Sequence, residues 1–244
     1  YGMEMIRRYE AIAGPIIRYD WVRRELNQRY FNWQNFSLGA RRFMIGMCMK
    51  VLVADTLSPL VDVAFHLDNP SFLDAWLGCL AYSLQLFFDF AGYSAMAIGL
   101  GLMLGFHFPE NFNRPYLASS IQDFWRRWHI SLSEWLRDVV FMPIYKALSK
   151  TAYFSRHRLA AQNIGIFATL LAMGVWNGLS LHYIVSGLMF GAYSVGHNLL
   201  VNAARTRPAL QAALARPLMR LLGRVLTLVL AALALYVFSG RSPI

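Results

Sequence analysis

Residues 74–106 form an almost unbroken apolar run, and this run restricts the folds that are open to the chain. At about 1.5 Å per residue, roughly 20 apolar residues suffice for a helix to cross a bilayer, and the run is longer than that. Lipid offers the backbone no hydrogen bonds, which favours helices. The interruption at residues 89–94, which contains Asp89 and Gly92, predicts two helical pieces rather than one.

The composition predicts an integral membrane protein. Hydrophobic residues make up 57% of the 244 residues and charged residues 15%, whereas soluble domains average about 45–50% and about 25%. The net charge of +10 does not indicate nucleic acid, because no zinc-finger or recognition-helix pattern accompanies it. Instead, arginine clusters flank the apolar runs, as at the cytoplasmic ends of membrane spans. The clusters are Arg7 with Arg8, Arg23 with Arg24, Arg41 with Arg42, Arg126 with Arg127, Arg156 with Arg158, and Arg220 with Arg224.

The remaining pattern predicts a single all-α membrane domain over residues 1–244. Further helices are predicted at residues 41–66, 159–176, 179–200 and 218–239, with an irregular loop at 108–116. Lys50 and Asp55 within the first of these favour a tilted or interfacial helix over a simple span. Residues 13–19 are predicted to form a turn or broken helix at the membrane surface.

Several classes of site are absent from the sequence. Cys48 and Cys79 lie in apolar surroundings without C-x-x-C spacing, so we expect small buried side chains rather than a disulfide or a metal site. No Walker, dinucleotide-binding or G-x-S-x-G motif is present, which argues against nucleotide-binding and serine hydrolase schemes. Because the chain begins at Tyr1 within a charged segment, we expect a fragment that lacks N-terminal membrane helices.

The segment at residues 124–138 is unusually polar for its apolar surroundings. Ser120 with Asp123 three residues later predicts a helix start. The residues that share one face of this helix are Trp125, Trp128, His129, Leu132 and Leu136. His129 is the first catalytic candidate, because an imidazole shielded from water and flanked by cations stays neutral, as a general base requires. The alternative is an interfacial histidine between tryptophans.

Two further ionisable residues are candidates, each with a structural alternative. His182, near the start of an apolar helix, is either functional or a packed histidine that bonds a neighbouring carbonyl. Asp89 is a carboxylate among aromatic residues and needs a cation or donors. The candidate partners are Arg126, Arg127 and the pair Asn113 and Arg114. We favour a structural ion pair or a cavity lining for Asp89 over a catalytic acid.

The most specific sequence signal is a set of motifs in a fixed order. They are AGP at residues 13–15, FFDFAGYS at 87–94, PENFNRPY at 109–116, FWRRWHISLS at 124–133 and WNG at 176–178. Together they resemble the membrane-bound O-acyltransferase family, in particular its bacterial branch. That branch includes the alginate O-acetylation proteins and the D-alanyl transfer proteins of teichoic acid modification. The resemblance covers nearly the whole chain.

The resemblance implies a fold and a site. The fold is a polytopic bundle of tilted, broken and re-entrant membrane helices around a tunnel. The residues that would line this tunnel are Asp89, Asn113, Arg126, Trp128 and Trp176. Two histidines are central in the family: one corresponds to His129, and the other, in a Trp-His-Gly motif, is replaced here by Asn177.

The asparagine at position 177 leaves three mechanisms open, because an amide donates hydrogen bonds but does not take up a proton. His129 can act as the base, with Asn177, Trp128 or Trp176 as the donor to the oxyanion. His182, about one helical turn after Asn177, can substitute for the missing histidine. In the third case the protein binds substrates without transferring them efficiently.

The function implied by the resemblance is O-acyl transfer within the bacterial cytoplasmic (inner) membrane. We expect no tightly bound cofactor and no metal; the donor is a carrier-protein phosphopantetheine thioester or another activated acyl group. The expected partners are membrane lipid, an acyl carrier protein and an extracytoplasmic partner acyltransferase. The acceptor is a hydroxyl of a cell-envelope polymer or of the partner, and we favour D-alanyl over acetyl as the acyl group. The alternative is a catalytically impaired acyl conduit or scaffold.

Overall fold

The chain is helical, without β-strands, in the part that the computed structural model describes, residues 15–16, 19–28 and 30–241. The helices are α1 (Tyr19–Gln28), α2 (Trp33–Cys48, continued by a π-helical turn at Met49–Ala54 and by Asp55–Phe65), α3 (Phe72–Met103), α4 (Ile121–Trp125), α5 (Ile130–Leu136, followed by a π-helical turn at Arg137–Phe141), α6 (Met142–Ser149), α7 (Ala152–Arg156), α8 (Arg158–Asn177), α9 (Leu181–Arg205), α10 (Pro208–Ala215) and α11 (Pro217–Phe238). A short 3₁₀ turn, Pro115–Leu117, interrupts the loop between α3 and α4. Most of the turn predicted at residues 13–19 lies outside the described residues.

Five of the described helices are long and apolar enough to cross a membrane. They are Trp33–Phe65, Phe72–Met103, Arg158–Asn177, Leu181–Arg205 and Pro217–Phe238. The predicted all-α class is confirmed, as are the helices expected at residues 159–176, 179–200 and 218–239. The chain therefore has the helices of a multi-pass membrane protein.

One prediction about the first spans is wrong, and another has the wrong start. The helix expected at residues 41–66 begins at Trp33 and continues to Phe65, with a length and composition that permit it to cross a membrane. That it is tilted or interfacial stays a prediction. The run at residues 74–106 does not break at 89–94, since α3 continues from Phe72 to Met103. Asp89 lies within this continuous helix, and its carboxylate pairs with the ammonium of Lys50 on α2 at 2.8 Å.

The described chain forms two compact units. The first contains the described part of Tyr1–Asn113 together with His129–Leu132, and the second contains Arg114–Trp128 and the described part of Ser133–Ile244. The prediction of a single membrane domain stays a prediction.

Glycine pairs set the register of α2 against α3 in the first unit. A Cβ atom added to Gly46 would lie 2.6 Å from the carbonyl oxygen of Gly92, and one added to Gly99 would lie 2.6 Å from that of Gly39. These distances are too short for any side chain, so the two backbones touch directly, as at small-residue interfaces of membrane helices. This register places Lys50 opposite Asp89.

A π-helical turn brings Lys50 and Asp55 together. The backbone N–H of Asp55 donates to the carbonyl of Lys50, five residues earlier, rather than to the residue four earlier. The wider turn puts both side chains on one side of α2. As a result, the Lys50 ammonium reaches Asp55 at 2.6 Å and Asp89 at 2.8 Å.

The second unit packs α8, α9 and α11 closely. A Cβ on Gly174 would collide with the carbonyl oxygen of Tyr183, and one on Gly187 would lie 2.9 Å from that of Leu170. The hydroxyl of Ser186 on α9 donates to the carbonyl of Ala234 on α11 at 2.8 Å. These contacts fix the positions of the residues around the turn between α8 and α9.

Candidate functional site

The backbone is not helical from Arg126 to His129. Helix α4 ends at Trp125 and α5 begins at Ile130, with turns and bends between them. The φ angle of His129 is +45°, in the left-handed region that few non-glycine residues adopt. The helix start at Ser120 is confirmed, because its hydroxyl accepts from the N–H of Asp123. The single helix face predicted from Trp125 to Leu136 is wrong, because the backbone turns in between.

The imidazole of His129 is buried in an aromatic environment. The residue is 5% exposed, and its ring lies edge-on to Phe90 of α3 with 4.7 Å between centroids. Phe90 in turn contacts Phe112 at 5.0 Å. Because burial disfavours the charged imidazolium, the pKa of His129 falls from 6.5 to about 4. The imidazole is therefore neutral at pH 7, as the sequence predicts.

Asn111 lies directly beside the His129 turn. Its backbone carbonyl accepts from the N–H of Ile130 at 2.9 Å. Its side-chain Oδ1 accepts from the N–H and the hydroxyl of Ser131, at 3.3 Å and 2.9 Å. Its Nδ2 donates to the hydroxyl of Ser94 on α3 at 3.1 Å. Asn111 is completely buried, so these hydrogen bonds replace its contacts with water.

The other two predicted site residues of the first unit have different surroundings. Asp89 is held by Lys50, so the structure favours the ion-pair interpretation and names a cation that the sequence argument did not consider. Asn113 is exposed, at the end of the loop that carries Asn111.

Arg126 and Trp128 belong to the second unit. Arg126 is exposed. The indole of Trp128 is buried and stacks on Phe124, with 5.4 Å between ring centroids, and Phe124 stacks in turn on Phe190 of α9. The packing makes Trp128 part of an aromatic core, and its role as an oxyanion donor stays a prediction.

The predicted residues at the turn between α8 and α9 also lie in the second unit. Trp176 and Asn177 end α8, and Gly178 follows with a φ of +154°. The side-chain Nδ2 of Asn177 donates to the carbonyl of Met173 at 2.8 Å, which directs this amide back onto its own helix. His182 lies in the first turn of α9, where its ring contacts Tyr183 and lies against Gly240. The sequence neighbours Asn177 and His182 thus flank one turn.

Sequence reasoning missed four residues that organise the first unit: Asn111, Ser94, Ser131 and Lys50. Three of them, Ser94, Asn111 and Ser131, lie within motifs that carried the family resemblance, but nothing in the pattern distinguishes buried Asn111 from exposed Asn113. Within residues 15–16, 19–28 and 30–241, no group of three or more His, Cys, Asp and Glu side chains is arranged to hold a metal ion.

Comparisons with known proteins identify the family of the chain. Residues 9–231 match the membrane-bound O-acyltransferase family. The chain is 47% identical over 194 residues to the probable alginate O-acetylase of Pseudomonas aeruginosa, covering 79% of this chain and 36% of that protein. It is 38% identical over 200 residues to the peptidoglycan O-acetyltransferase of Helicobacter pylori, covering 80% and 36%.

A third relative belongs to the other part of the branch. The teichoic acid D-alanyltransferase of Bacillus subtilis is 34% identical over 194 residues, covering 76% of this chain and 48% of that protein. The chain therefore spans between about a third and a half of the length of these curated relatives. The match over residues 9–231 nevertheless includes every predicted site residue. The chain belongs to the membrane-bound O-acyltransferase family.

Proposed function

We propose that this chain forms part of a membrane O-acetyltransferase that acetylates a hydroxyl group of a cell-envelope polysaccharide. The relatives named for O-acetylation are 47% and 38% identical to it, whereas the D-alanyltransferase of Bacillus subtilis is 34% identical. This order favours acetyl over the D-alanyl group that the motifs alone favoured.

The observation that carries the proposal is the buried, neutral imidazole of His129 in a left-handed turn. In the proposed reaction this imidazole takes the proton of the acceptor hydroxyl, and the acceptor oxygen attacks the acyl carbonyl carbon. The tetrahedral intermediate then expels the leaving group, for example a thiolate, which receives the proton from the imidazolium. A pKa of about 4 keeps the base unprotonated before the reaction, and the negative charge that develops beside it raises its affinity for the proton.

The donor and the partners follow from the same proposal. The acyl donor is an activated acetyl group, such as a carrier-protein thioester, which acts as a substrate rather than a resident cofactor. An acyl carrier protein on the cytoplasmic side and a partner acyltransferase outside the cytoplasmic membrane complete the pathway. Exposed basic residues such as Arg23, Arg24 and Arg41 would suit an acidic carrier protein, although the positive-inside rule explains them equally well.

The variant His129→Asn tests the base. Asparagine tolerates the left-handed backbone better than most residues, so the turn is kept while the imidazole is removed. We expect a loss of about 10²–10⁴-fold in transfer, the usual contribution of a general base. The measurement is the O-acetyl content of envelope polysaccharide in cells that express the whole protein, with exposed His66→Asn as the matched control. Wild-type acetylation by a stably expressed His129→Asn protein would falsify the proposal.

A second candidate function is an acyl conduit or scaffold with little transfer activity of its own. Asn177 favours it, because its amide already donates to the Met173 carbonyl and an amide does not accept a proton. The variant Asn177→His separates the two functions. A weakened enzyme gains acetylation when the histidine is restored, whereas a conduit responds neither to this change nor to His129→Asn.

A further inference from the structure

We propose that Asn111 is a positioning residue that caps α5 from outside the helix and thereby holds His129 in its left-handed turn. The inference rests on the proposed function of His129 for its catalytic meaning. Its structural part concerns only the described residues of the first unit and is tested separately.

The first argument is the start of α5. The first N–H groups of a helix have no partner within the helix, and the residue just before it usually supplies one from a Ser, Thr, Asp or Asn side chain. Here that position is occupied by His129. Asn111 instead accepts from the N–H groups of Ile130 and Ser131, one through its backbone carbonyl and the other through Oδ1. Because a residue elsewhere in the chain provides the cap, the position before the helix can hold a histidine.

The second argument is the common support from α3. Ser94 on this helix accepts from Nδ2 of Asn111, and Phe90, one turn earlier, contacts the imidazole of His129. The same helix therefore anchors the residue that caps the turn and the ring that packs against the imidazole. Through Asn111, the position of the His129 backbone is fixed relative to Phe90.

The third argument is backbone strain. A histidine with a φ of +45° persists only where the surrounding structure determines the backbone conformation. The hydroxyl of Ser131 adds another tie, since it donates to Oδ1 of Asn111 and accepts from the N–H of Ile16. Asn111 and its partners Ser94 and Ser131 are all buried, so water does not replace these hydrogen bonds when one is lost.

The test measures the accessibility of His129 independently of transfer. Diethyl pyrocarbonate modifies neutral imidazoles, and mass spectrometry of the membrane-embedded protein gives the rate at each histidine. Asn111→Leu removes both amide atoms at similar volume, and with them the three side-chain hydrogen bonds of Asn111. We expect His129 to react at least about ten-fold faster, since the loss of one buried hydrogen bond alone has about that effect. Asn111→Asp keeps the capping oxygen at a helix N-terminus that favours negative charge, so it retains slow modification and most of the transfer.

Internal references separate local loosening from unfolding. Exposed His66 and His157 should react at unchanged rates in every variant, and exposed Asn69→Ala is the control for replacing an asparagine in a loop of the same unit. Ser131→Ala removes the hydroxyl bond to Asn111 and the acceptor of the Ile16 N–H, but it keeps the bond from the Ser131 N–H to Oδ1. It should therefore give a smaller increase at His129. If Asn111→Leu does not accumulate in the membrane, Ser131→Ala decides the question alone.

The outcomes distinguish this inference from the proposed function. If His129 reacts at the wild-type rate in Asn111→Leu and in Ser131→Ala, the positioning role is overturned, whatever His129→Asn does to transfer. If both variants expose His129 while His129→Asn leaves transfer intact, Asn111 holds the turn but the turn is not the catalytic site. Both the positioning role and the proposed function are supported if Asn111→Leu speeds the modification of His129 and abolishes transfer while Asn111→Asp restores slow modification and transfer.

Discussion

The first unit places polar side chains in apolar surroundings in two contrasting ways. In the ion-pair region, Lys50 bridges Asp55 and Asp89 between two continuous helical rods, with side chains that are about half exposed. In the turn region, Asn111, Ser131 and His129 are uncharged or neutral, almost completely buried, and joined to an interrupted backbone. The ion-pair region therefore has charged side chains on continuous helices, and the turn region has neutral side chains on a non-helical backbone.

In the ion-pair region the backbone positions the side chains, whereas in the turn region the side chains hold the backbone. In the ion-pair region the glycine contacts and the π-helical turn bring the charged side chains together, and these charges neutralise one another. In the turn region the hydrogen bonds of Asn111 support the left-handed backbone of His129, a conformation that the chain disfavours on its own. A conformation held in this way is suited to chemistry, which is why we assign the reaction to His129 rather than to Asp89.

The largest expected effect comes from removing the cation of the ion-pair region. Lys50→Met leaves the carboxylates of Asp55 and Asp89 without their ammonium near the middle of two apolar spans. We expect a loss of about 3 kcal/mol in the free energy of unfolding, the cost of an unpaired charge at the centre of a membrane helix. Thermal unfolding of the detergent-purified protein measures it.

A second substitution checks that charge is the cause. Lys50→Met combined with Asp89→Asn removes one of the two uncompensated carboxylates, so the double variant should recover part of the lost stability. A double variant that is no more stable than Lys50→Met would show that the lysine acts through packing of its alkyl chain instead.

Acid should weaken the turn region by charging His129. The pKa of this imidazole falls from 6.5 to about 4 on burial, so the unfolded chain binds the proton more tightly than the folded one. Above pH 6.5 the imidazole of His129 therefore does not lower the stability of the folded state. Stability is lost as the pH falls from 6.5 to 4, and His129 causes no further loss below pH 4. The full loss is about 3 kcal/mol, at 1.36 kcal/mol for each pKa unit.

The pH effect is isolated by comparing the wild type with His129→Asn. The two proteins differ only at position 129, so the contributions of all other groups cancel in the difference between the two unfolding curves. The difference should change between pH 6.5 and 4 only because of His129. A constant difference across this range would mean that the imidazole is protonated as readily in the folded protein as in the unfolded chain.

Much of the fold could be predicted from the sequence, because membrane helices are recognised by their length and hydrophobicity. The spans at α8, α9 and α11 follow from continuous apolar runs. The prediction failed at Asp89 and Gly92, where a charged residue and a glycine suggested a break. Their effect on α3 depends on Lys50 and Gly46 of another helix, and a pattern within one segment contains no information about that partner.

The candidate site could be predicted only in part. His129 was identified because an ionisable group between apolar runs needs a reason to be there. The left-handed turn was missed because the helical spacing of apolar residues continues through it unchanged, while the actual break depends on hydrogen bonds from Asn111. Whether Asn111 or Asn113 is the buried one depends on the path of the loop.

A smaller effect is expected at the contact that sets the register of the ion-pair region. In Gly92→Ala the new Cβ would lie 2.7 Å from the carbonyl oxygen of Gly46, so α2 and α3 must move apart and the Lys50–Asp89 bond lengthens. We expect a loss of about 2 kcal/mol from this overpacking, measured as a lower unfolding temperature. Gly196→Ala is the matched control, because a Cβ there meets none of the described atoms within 4 Å. It should be neutral or gain up to about 1 kcal/mol from helix propensity.

The smallest effect separates a long-range hydrogen bond from a local one on the same helix. Ser94→Ala removes the acceptor of the Asn111 amide and leaves a buried N–H without that partner, so we expect a loss of about 1 kcal/mol. The control is Ser83→Ala, which is equally buried on α3 and removes a hydrogen bond to the Cys79 carbonyl one turn earlier. Because that carbonyl is already part of the helix, we expect this loss to change stability by only a few tenths of a kcal/mol. For a chain of this size, about 1 kcal/mol corresponds to roughly 2–4 °C in Tm. Equal shifts for the two serines would mean that the Asn111–Ser94 bond adds nothing to the turn, which would then be supported by the bonds of Asn111 to Ile130 and Ser131.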